Sequence, residues 1–201
     1  KFGYEADFTK MDYSVNQGLW GTSVGGKETL KSGTNLPGHA YPSQLEATDE
    51  KVIELSFVQG ELKSIDGKLF ENGPKTIQAL DEIASKYAIG RDTHVGDTII
   101  GIKGRVGFEA AAPLIIIKAH HLLEKHTLTK QQLIWKDMLA NPYGNFLHEG
   151  LFYEPVMRDI EAFLTSTQDH VSGEVIIRLQ PYRFITVGIR SLYDLMQSRF
   201  G

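Results

Sequence analysis

Cysteine is absent from this 201-residue chain, and so are long apolar runs and any block of basic residues. The lack of cysteine excludes a disulfide framework and thiolate metal sites. It also suits a reducing compartment, so we expect a cytoplasmic protein. The longest apolar stretch, residues 110–119, contains Pro113 and Lys118 and is shorter than the roughly 18 to 20 residues that span a bilayer. We therefore expect no membrane partner.

The charge distribution and the absence of nucleotide-binding motifs argue against further functional classes. The 21 basic and 25 acidic residues are interspersed and give a net charge of −4, so nucleic acid is not an expected partner. Neither Gly-x-Gly-x-x-Gly nor Gly-x-x-x-x-Gly-Lys-Ser occurs, which argues against a phosphate-binding loop within these residues. The chain starts with Lys1 rather than methionine and ends at Gly201, and we expect it to be a fragment of a longer protein.

Apolar spacing and turn residues predict a mixture of hairpins and helices. Pro74 and Pro155 suit first helical positions. Gly90 and Pro142 suit helix ends, and Thr129 suits an N-cap. The predicted strands are residues 52–58, 61–65, 98–103, 174–179 and 183–188, and the predicted helices are residues 74–87, 113–125, 129–141 and 155–168.

Strands that occur both as hairpins and between helices predict an α+β fold, a mixed but largely antiparallel sheet with helices packed on it. With 41% hydrophobic residues, the chain can bury the core of one domain, residues 1–201. Residues 24–44 are rich in Gly, Ser, Thr, Asn and Pro and predict a long loop. Such a loop either covers a ligand, reaches a partner subunit or is a surface excursion.

Two groups of ionisable residues are candidate sites on composition alone. His120, His121 and His126 lie near Glu124, but only His120 and Glu124 have the four-residue spacing that shares a helix face. Capping, packing or surface roles are the default for these histidines, and we expect no metal site. Residues 148–154 contain His148, Glu149, Tyr153 and Glu154, which resemble an acid–base pair without a nucleophile.

A third candidate site is residues 90–109, where charged side chains alternate with glycines. Lys103, Arg105 and Glu109 are suited to hold a zwitterion or a phosphate, because glycines let a ligand approach the backbone closely. Salt bridges at a strand edge explain the same residues without a ligand. The residue types alone leave both interpretations open.

Residues 13–23, Tyr-Ser-Val-Asn-Gln-Gly-Leu-Trp-Gly-Thr-Ser, are the most specific segment of the chain. They resemble the Tyr-Ser-x-Asp-x-Asn-Leu-Trp-Gly-x-Ser segment that opens the second domain of argininosuccinate synthase. Asn16 and Gly18 depart from that pattern. Further segments are similar to this family in the same order, namely residues 84–92, 100–109, 119–128, 150–155 and 187–193.

The resemblance implies the C-terminal domain of an ATP-dependent carbon–nitrogen ligase of arginine biosynthesis and the urea cycle. In this family citrulline is activated as an adenylate and then joined to aspartate, which gives argininosuccinate, AMP and pyrophosphate. ATP and its Mg²⁺ are bound mainly by an N-terminal nucleotide-binding domain that these residues lack. The resemblance therefore implies that the fragment alone is inactive and has no metal site or catalytic residue of its own. It also implies a homo-oligomer, a tetramer in the family.

The resemblance assigns the substrate-binding positions residue by residue. Ser14 and Ser23 match two citrulline-binding serines. A glutamate and a tyrosine of the family align with Gly96 and Phe108, so those two contacts are altered, and Asp97 is a possible substitute for the missing carboxylate. The changes allow two interpretations, an N-acylated citrulline as substrate or an eroded site. The alternative function is a non-catalytic domain for oligomerisation or binding.

Overall fold

The computed structural model describes residues 12–98 and 100–196, which form two antiparallel sheets and four α-helices. This arrangement confirms the predicted α+β class. These described residues fall into two compact units, one within Lys1–Lys51, Ile77–Ile115 and Leu179–Phe184, and the other within Val52–Thr76, Ile116–Arg178 and Ile185–Gly201. The single domain over residues 1–201 stays a prediction.

The first unit contains a four-stranded sheet with the strand order β1-β2-β7-β6. Its strands are β1 (Tyr13–Gly18), β2 (Gly21–Gly26), β6 (Arg91–Asp97) and β7 (Lys103–Glu109). One face of this sheet packs on the loop that follows β2, where Val24, Leu36, Ala40 and Tyr41 form a buried cluster. The predicted loop at residues 24–44 therefore begins later, after Gly26, and contains two short 3-10 turns at Lys27–Leu30 and Gly38–Ala40.

The second sheet has the strand order β5-β4-β3-β8-β9. Its strands are β3 (Lys51–Val58), β4 (Glu61–Ile65), β5 (Lys68–Leu69), β8 (Gly173–Gln180) and β9 (Arg183–Arg190). The predicted hairpin at residues 52–65 is confirmed, with Gln59 and Gly60 both at positive φ in its turn. The second unit buries Leu55, Phe57, Leu123, Met157 and Ile177.

The four helices are α1 (Gly73–Ala84), α2 (Ala111–Thr127), α3 (Lys130–His148) and α4 (Pro155–Thr167). Thr129 caps α3 as predicted, because its side chain accepts from the Gln132 N–H and the Gln132 side chain accepts from the Thr129 N–H. Within the described residues, no helix combines the length and apolarity that crossing a bilayer requires.

Two predicted boundaries were wrong. Within the residues predicted as a strand at 98–103, Thr98 and residues 100–102 lie in the turn between β6 and β7, and only Lys103 belongs to a strand, β7. Gly101 has φ +83° and donates to the Thr98 carbonyl there, and Ile99 lies outside the described residues. Helix α3 also continues through Pro142 to His148 instead of ending near Asn141. The capped first turn precedes the proline by more than two helical turns, so Pro142 removes one backbone donor from an established helix without ending it.

Candidate functional site

The four-stranded sheet brings Ser23 and Phe108 to one face. These two residues are directly paired between β2 and β7, and paired residues share a face of an antiparallel sheet. Ser23 is also paired with Asn16 on β1. Ser14 lies two residues before Asn16 on the same strand, so its side chain is on the same face. The two serines are diagonal neighbours, and the Cα atoms of such residues are roughly 7 to 8 Å apart.

Gly96 lies on this same face. Phe108 is paired with Asp92 on β6, and Gly96 follows Asp92 by four residues, an even number that returns to the same side. Four sequence positions that lie up to 94 residues apart, Ser14, Ser23, Gly96 and Phe108, therefore share one surface, named here the open face.

Asp97 has the opposite orientation. It is paired with Lys103, and the two side chains form an exposed ion pair on the face of the sheet away from Gly96. Adjacent residues of a strand point to opposite faces of the sheet. A one-residue shift of the strand would therefore be needed to bring Asp97 to the open face. In this register, the Asp97 carboxylate does not take the place of a carboxylate at position 96.

The open face is short of side chains. Ser14, Asn16 and Asp92 are solvent-exposed, and Ser23 is partly exposed. Five positions on this face are glycines that contribute only backbone, namely Gly18, Gly21, Gly25, Gly96 and Gly104. Glycine within a strand lets another molecule approach the backbone closely. Polar hydroxyls beside bare backbone are suited to a small, hydrogen-bonding ligand.

Phe108 is the one large aromatic side chain of the open face, and it is 36% exposed. Its ring lies over Gly21, where a β-carbon would stand 2.4 Å from Cζ. Gly21 has φ +147°, a conformation that favours glycine. The ring therefore depends on a glycine beneath it and offers an apolar surface directly beside Ser23.

The opposite face of the sheet holds a buried ion pair. The Glu109 carboxylate accepts from Arg91 Nε at 3.1 Å, from Ser43 Oγ at 2.6 Å and from the Ser43 N–H at 3.2 Å. Arg91 also donates to the Ser43 carbonyl and lies over the Tyr41 ring, 4.9 Å from its centroid. These contacts attach the end of the loop to the sheet.

The third candidate site, residues 90–109, is thus largely occupied by internal partners. Besides the Arg91–Glu109 and Asp97–Lys103 pairs, Arg105 donates to the carbonyl of Lys31. The strand-edge interpretation accounts for these charged side chains. Two glycines of the same segment, Gly96 and Gly104, contribute to the open face together with Asp92 and Phe108.

Asp81 is a residue that the sequence did not single out. It lies on α1 in an open cleft of about 660 Å³, lined also by Gln17, Gly18 and Leu19. Burial raises the pKa of its carboxyl, and the nearby Glu109 and Glu82 charges raise it further, while the Ala112 N–H bond at 3.4 Å lowers it. Ala112 is in the first turn of α2, so the carboxylate sits at a helix N-terminus. A lone acid on a helix surface gives no periodic signal in sequence.

The two other candidate groups have structural roles or lie exposed. Glu124 is buried and accepts from Lys136 Nζ at 2.9 Å and from Gln168 Nε2 at 2.9 Å. His120 contacts the same Gln168 side chain at 2.8 Å. Across residues 12–98 and 100–196, no three His, Asp or Glu side chains converge to hold a metal ion. The second group, His148, Glu149, Tyr153 and Glu154, is solvent-exposed around the end of α3.

The fold is of the α+β class, and the open face is a candidate ligand-binding surface on a glycine-rich sheet. The family model described as arginosuccinate synthase C-terminal domain matches residues 13–200. The chain belongs to this family, a family of enzymes.

Individual relatives agree with this assignment. The chain is 33% identical over 196 residues to the argininosuccinate synthase of Xylella fastidiosa, covering 96% of this chain and 49% of that protein. It is 34% identical over 187 residues to that of Dictyoglomus thermophilum, covering 92% and 47%. It is 32% identical over 186 residues to that of Methanocaldococcus jannaschii, covering 91% and 47%. The chain thus spans about half the length of the curated relatives it matches.

Proposed function

We propose that this chain is the citrulline-binding and subunit-assembly half of an ATP-dependent ligase that joins citrulline, or an N-acylated citrulline, to aspartate. The single observation that carries the proposal is the shared open face, where Ser14 and Ser23 stand beside Phe108 over bare backbone. This combination fits the small zwitterionic substrate of the family to which the chain belongs.

The two hydroxyls suit the polar groups of citrulline. A serine hydroxyl donates to a carboxylate and accepts from an ammonium or a ureido N–H. Serines at diagonal positions of neighbouring strands, with Cα atoms roughly 7 to 8 Å apart, can contact different parts of one amino-acid ligand. The Phe108 ring beside them offers an apolar surface to the methylene chain that joins the ligand's two polar ends.

The chemical work is divided in this proposal. The ureido oxygen of citrulline attacks the α-phosphorus of ATP and pyrophosphate leaves; the aspartate amine then attacks the ureido carbon and AMP leaves. ATP and its Mg²⁺ belong to a nucleotide-binding half outside these residues. The residues of this chain bind and orient citrulline, and orientation of reactants is a major part of enzymatic rate enhancement. We therefore expect the chain alone to form no adenylate.

The assembly role is supported by α3. No side chain of this 19-residue helix is fully buried against the rest of the described residues, and Trp135 and Met138 on it are 52% and 58% exposed. Exposed apolar side chains clustered on one element are typical of subunit interfaces. We propose a homo-oligomer, a tetramer as the resemblance implies, and a cytoplasmic location that suits a chain without cysteine.

The test uses the intact protein that carries this chain. We expect Ser14→Ala and Ser23→Ala each to raise the citrulline KM about ten-fold or more, because hydrogen bonds to charged groups contribute about 1.5 to 3 kcal/mol. The ATP KM should stay within two-fold. Ser32→Ala is the matched control, since Ser32 is an exposed serine of the loop in the same unit.

Two results would contradict the proposal. Unchanged citrulline kinetics in both serine variants would favour the alternative, a domain for oligomerisation or binding with no substrate contact. Pyrophosphate release that depends on ATP and citrulline and is catalysed by this chain alone would contradict the division of labour.

A further inference from the structure

The paired glycines of the β6–β7 hairpin form a slot on the open face. Gly96 and Gly104 stand opposite each other, so neither strand contributes a side chain at this level of the sheet. The imidazole of His94 borders one side, because a β-carbon at Gly96 would lie 3.2 Å from its Nε2 and 3.6 Å from its Cδ2. The methyl group of Thr98 borders the other, 3.5 Å from the β-carbon position of Gly104.

We infer that His94 is a specificity-determining residue of the citrulline site, and that the slot over Gly96 and Gly104 takes an acyl group on the substrate's α-nitrogen. This inference rests on the proposed function and names the substrate class within it, an N-acylated citrulline. The walls of the slot match an acyl group, which has one oxygen acceptor and an apolar carbon. The imidazole would donate to the oxygen, and the Thr98 methyl would contact the carbon.

The protonation chemistry of imidazole favours an acyl oxygen over a free ammonium. A neutral imidazole has one donor and one acceptor nitrogen, whereas a protonated imidazole has two donors. An acyl oxygen can therefore accept from His94 in either state, but an ammonium can be bound only by the neutral ring and is repelled by the charged one.

The carboxylates nearest in sequence do not supply an ammonium site at the slot. Asp97 points to the other face and is paired with Lys103. Asp92 is on the open face, but it is four residues from Gly96, about 13 Å along an extended strand. Its Oδ1 atom accepts from the Thr93 N–H at 2.7 Å. The flat backbone of Gly96 and Gly104 also suits the planar group that an amide forms.

The experiment compares two substrates in the intact protein that carries this chain, N-acetylcitrulline and free citrulline. We expect wild type to prefer N-acetylcitrulline by about ten-fold in kcat/KM and in equilibrium binding. His94→Ala should lower kcat/KM and binding affinity for N-acetylcitrulline about ten-fold, the effect of one hydrogen bond. The same quantities for citrulline should change less than two-fold. His94→Gln keeps an N–H donor and should restore part of the preference.

The control is Val95→Ala, because Val95 is exposed on the opposite face of the same strand. This variant should leave kcat/KM and binding affinity unchanged for both substrates. A wild-type preference for free citrulline would overturn the inference, and so would an equal loss of kcat/KM for both substrates in His94→Ala. The serine variants would still test the proposed function in either case. If neither substrate binds to wild type, the proposed function itself fails.

Discussion

The ring of Phe108 lies directly over Gly21, so close that a β-carbon at Gly21 would stand 2.4 Å from Cζ of the ring. We expect Gly21→Ala to lower the free energy of unfolding by about 1 to 3 kcal/mol, because the methyl group displaces the ring and strains a positive φ. Gly25→Ala is the matched control on the same strand and face, where the nearest atom to an added β-carbon is 3.9 Å away. Urea unfolding of both variants measures the difference. Equal stabilities would contradict the predicted contact.

Glu109 should be the most costly charge to remove from the four-stranded sheet. Its carboxylate is buried and has three donors from Arg91 and Ser43. Removal of one partner from a buried pair typically costs about 3 to 5 kcal/mol, so we expect Glu109→Ala to lose a stability of this size in chemical denaturation. Asp97→Ala removes an exposed pair from the same two strands, and its effect should be close to zero. Similar losses of stability in the two variants would contradict the expected difference between the buried and the exposed ion pair.

The raised pKa of Asp81 predicts a stability difference that depends on pH. Burial raises this pKa in the folded state, so the folded protein binds the proton more tightly than the unfolded chain does. The stability that this proton contributes is present below the unfolded pKa and is lost as the pH rises through the folded pKa. Asp81→Asn should therefore raise Tm by about 2 °C near neutral pH.

The Tm of Asp81→Asn should match that of wild type at about pH 3, where Asp81 is protonated in both the folded and the unfolded protein. Glu71→Gln is the control, since Glu71 is an exposed carboxylate, and it should leave Tm unchanged across the range. A Tm gain in Asp81→Asn that is larger in acid than at neutral pH would have the wrong sign for this mechanism.

The apolar surface of α3 predicts a change of assembly. Trp135→Lys places a charge on the exposed part of this helix, and we expect it to reduce the oligomer because a desolvated charge is costly in an interface. Light scattering after size-exclusion chromatography measures the mass. Leu69→Lys alters a more exposed apolar residue on β5 of the same unit and should leave the mass unchanged. An unchanged mass for Trp135→Lys would remove α3 from the proposed interface.

Local signals predicted part of the fold because certain residues fix the backbone by themselves. The Gln59-Gly60 turn and the Thr129 cap were both predictable, since each depends on neighbours only a few residues away. The turn that contains Ile100 and Ile102 was not, because these apolar side chains are 80% and 61% exposed. The actual strands on either side of it contain glycines and charges, and their pairing depends on long-range contacts.

The candidate site shows the same division. Ser14, Ser23, Gly96 and Phe108 came from family resemblance, and only the strand register brings them to one face. His94 and Asp81 carry no local pattern that sets them apart from other polar surface residues. What sets them apart is what lies beside them, a pair of glycines in one case and a helix N-terminus in the other.

The many glycines of the open face have a consequence for hydration and hydrogen exchange. A sheet that is covered on one side only leaves its peptide groups accessible to water, and a bound substrate would act as a temporary second layer. Saturation with ligand should then slow amide hydrogen exchange at Ser23 and Phe108 more than at residues of the five-stranded sheet. The substrate would thereby complete the domain's architecture each time it binds.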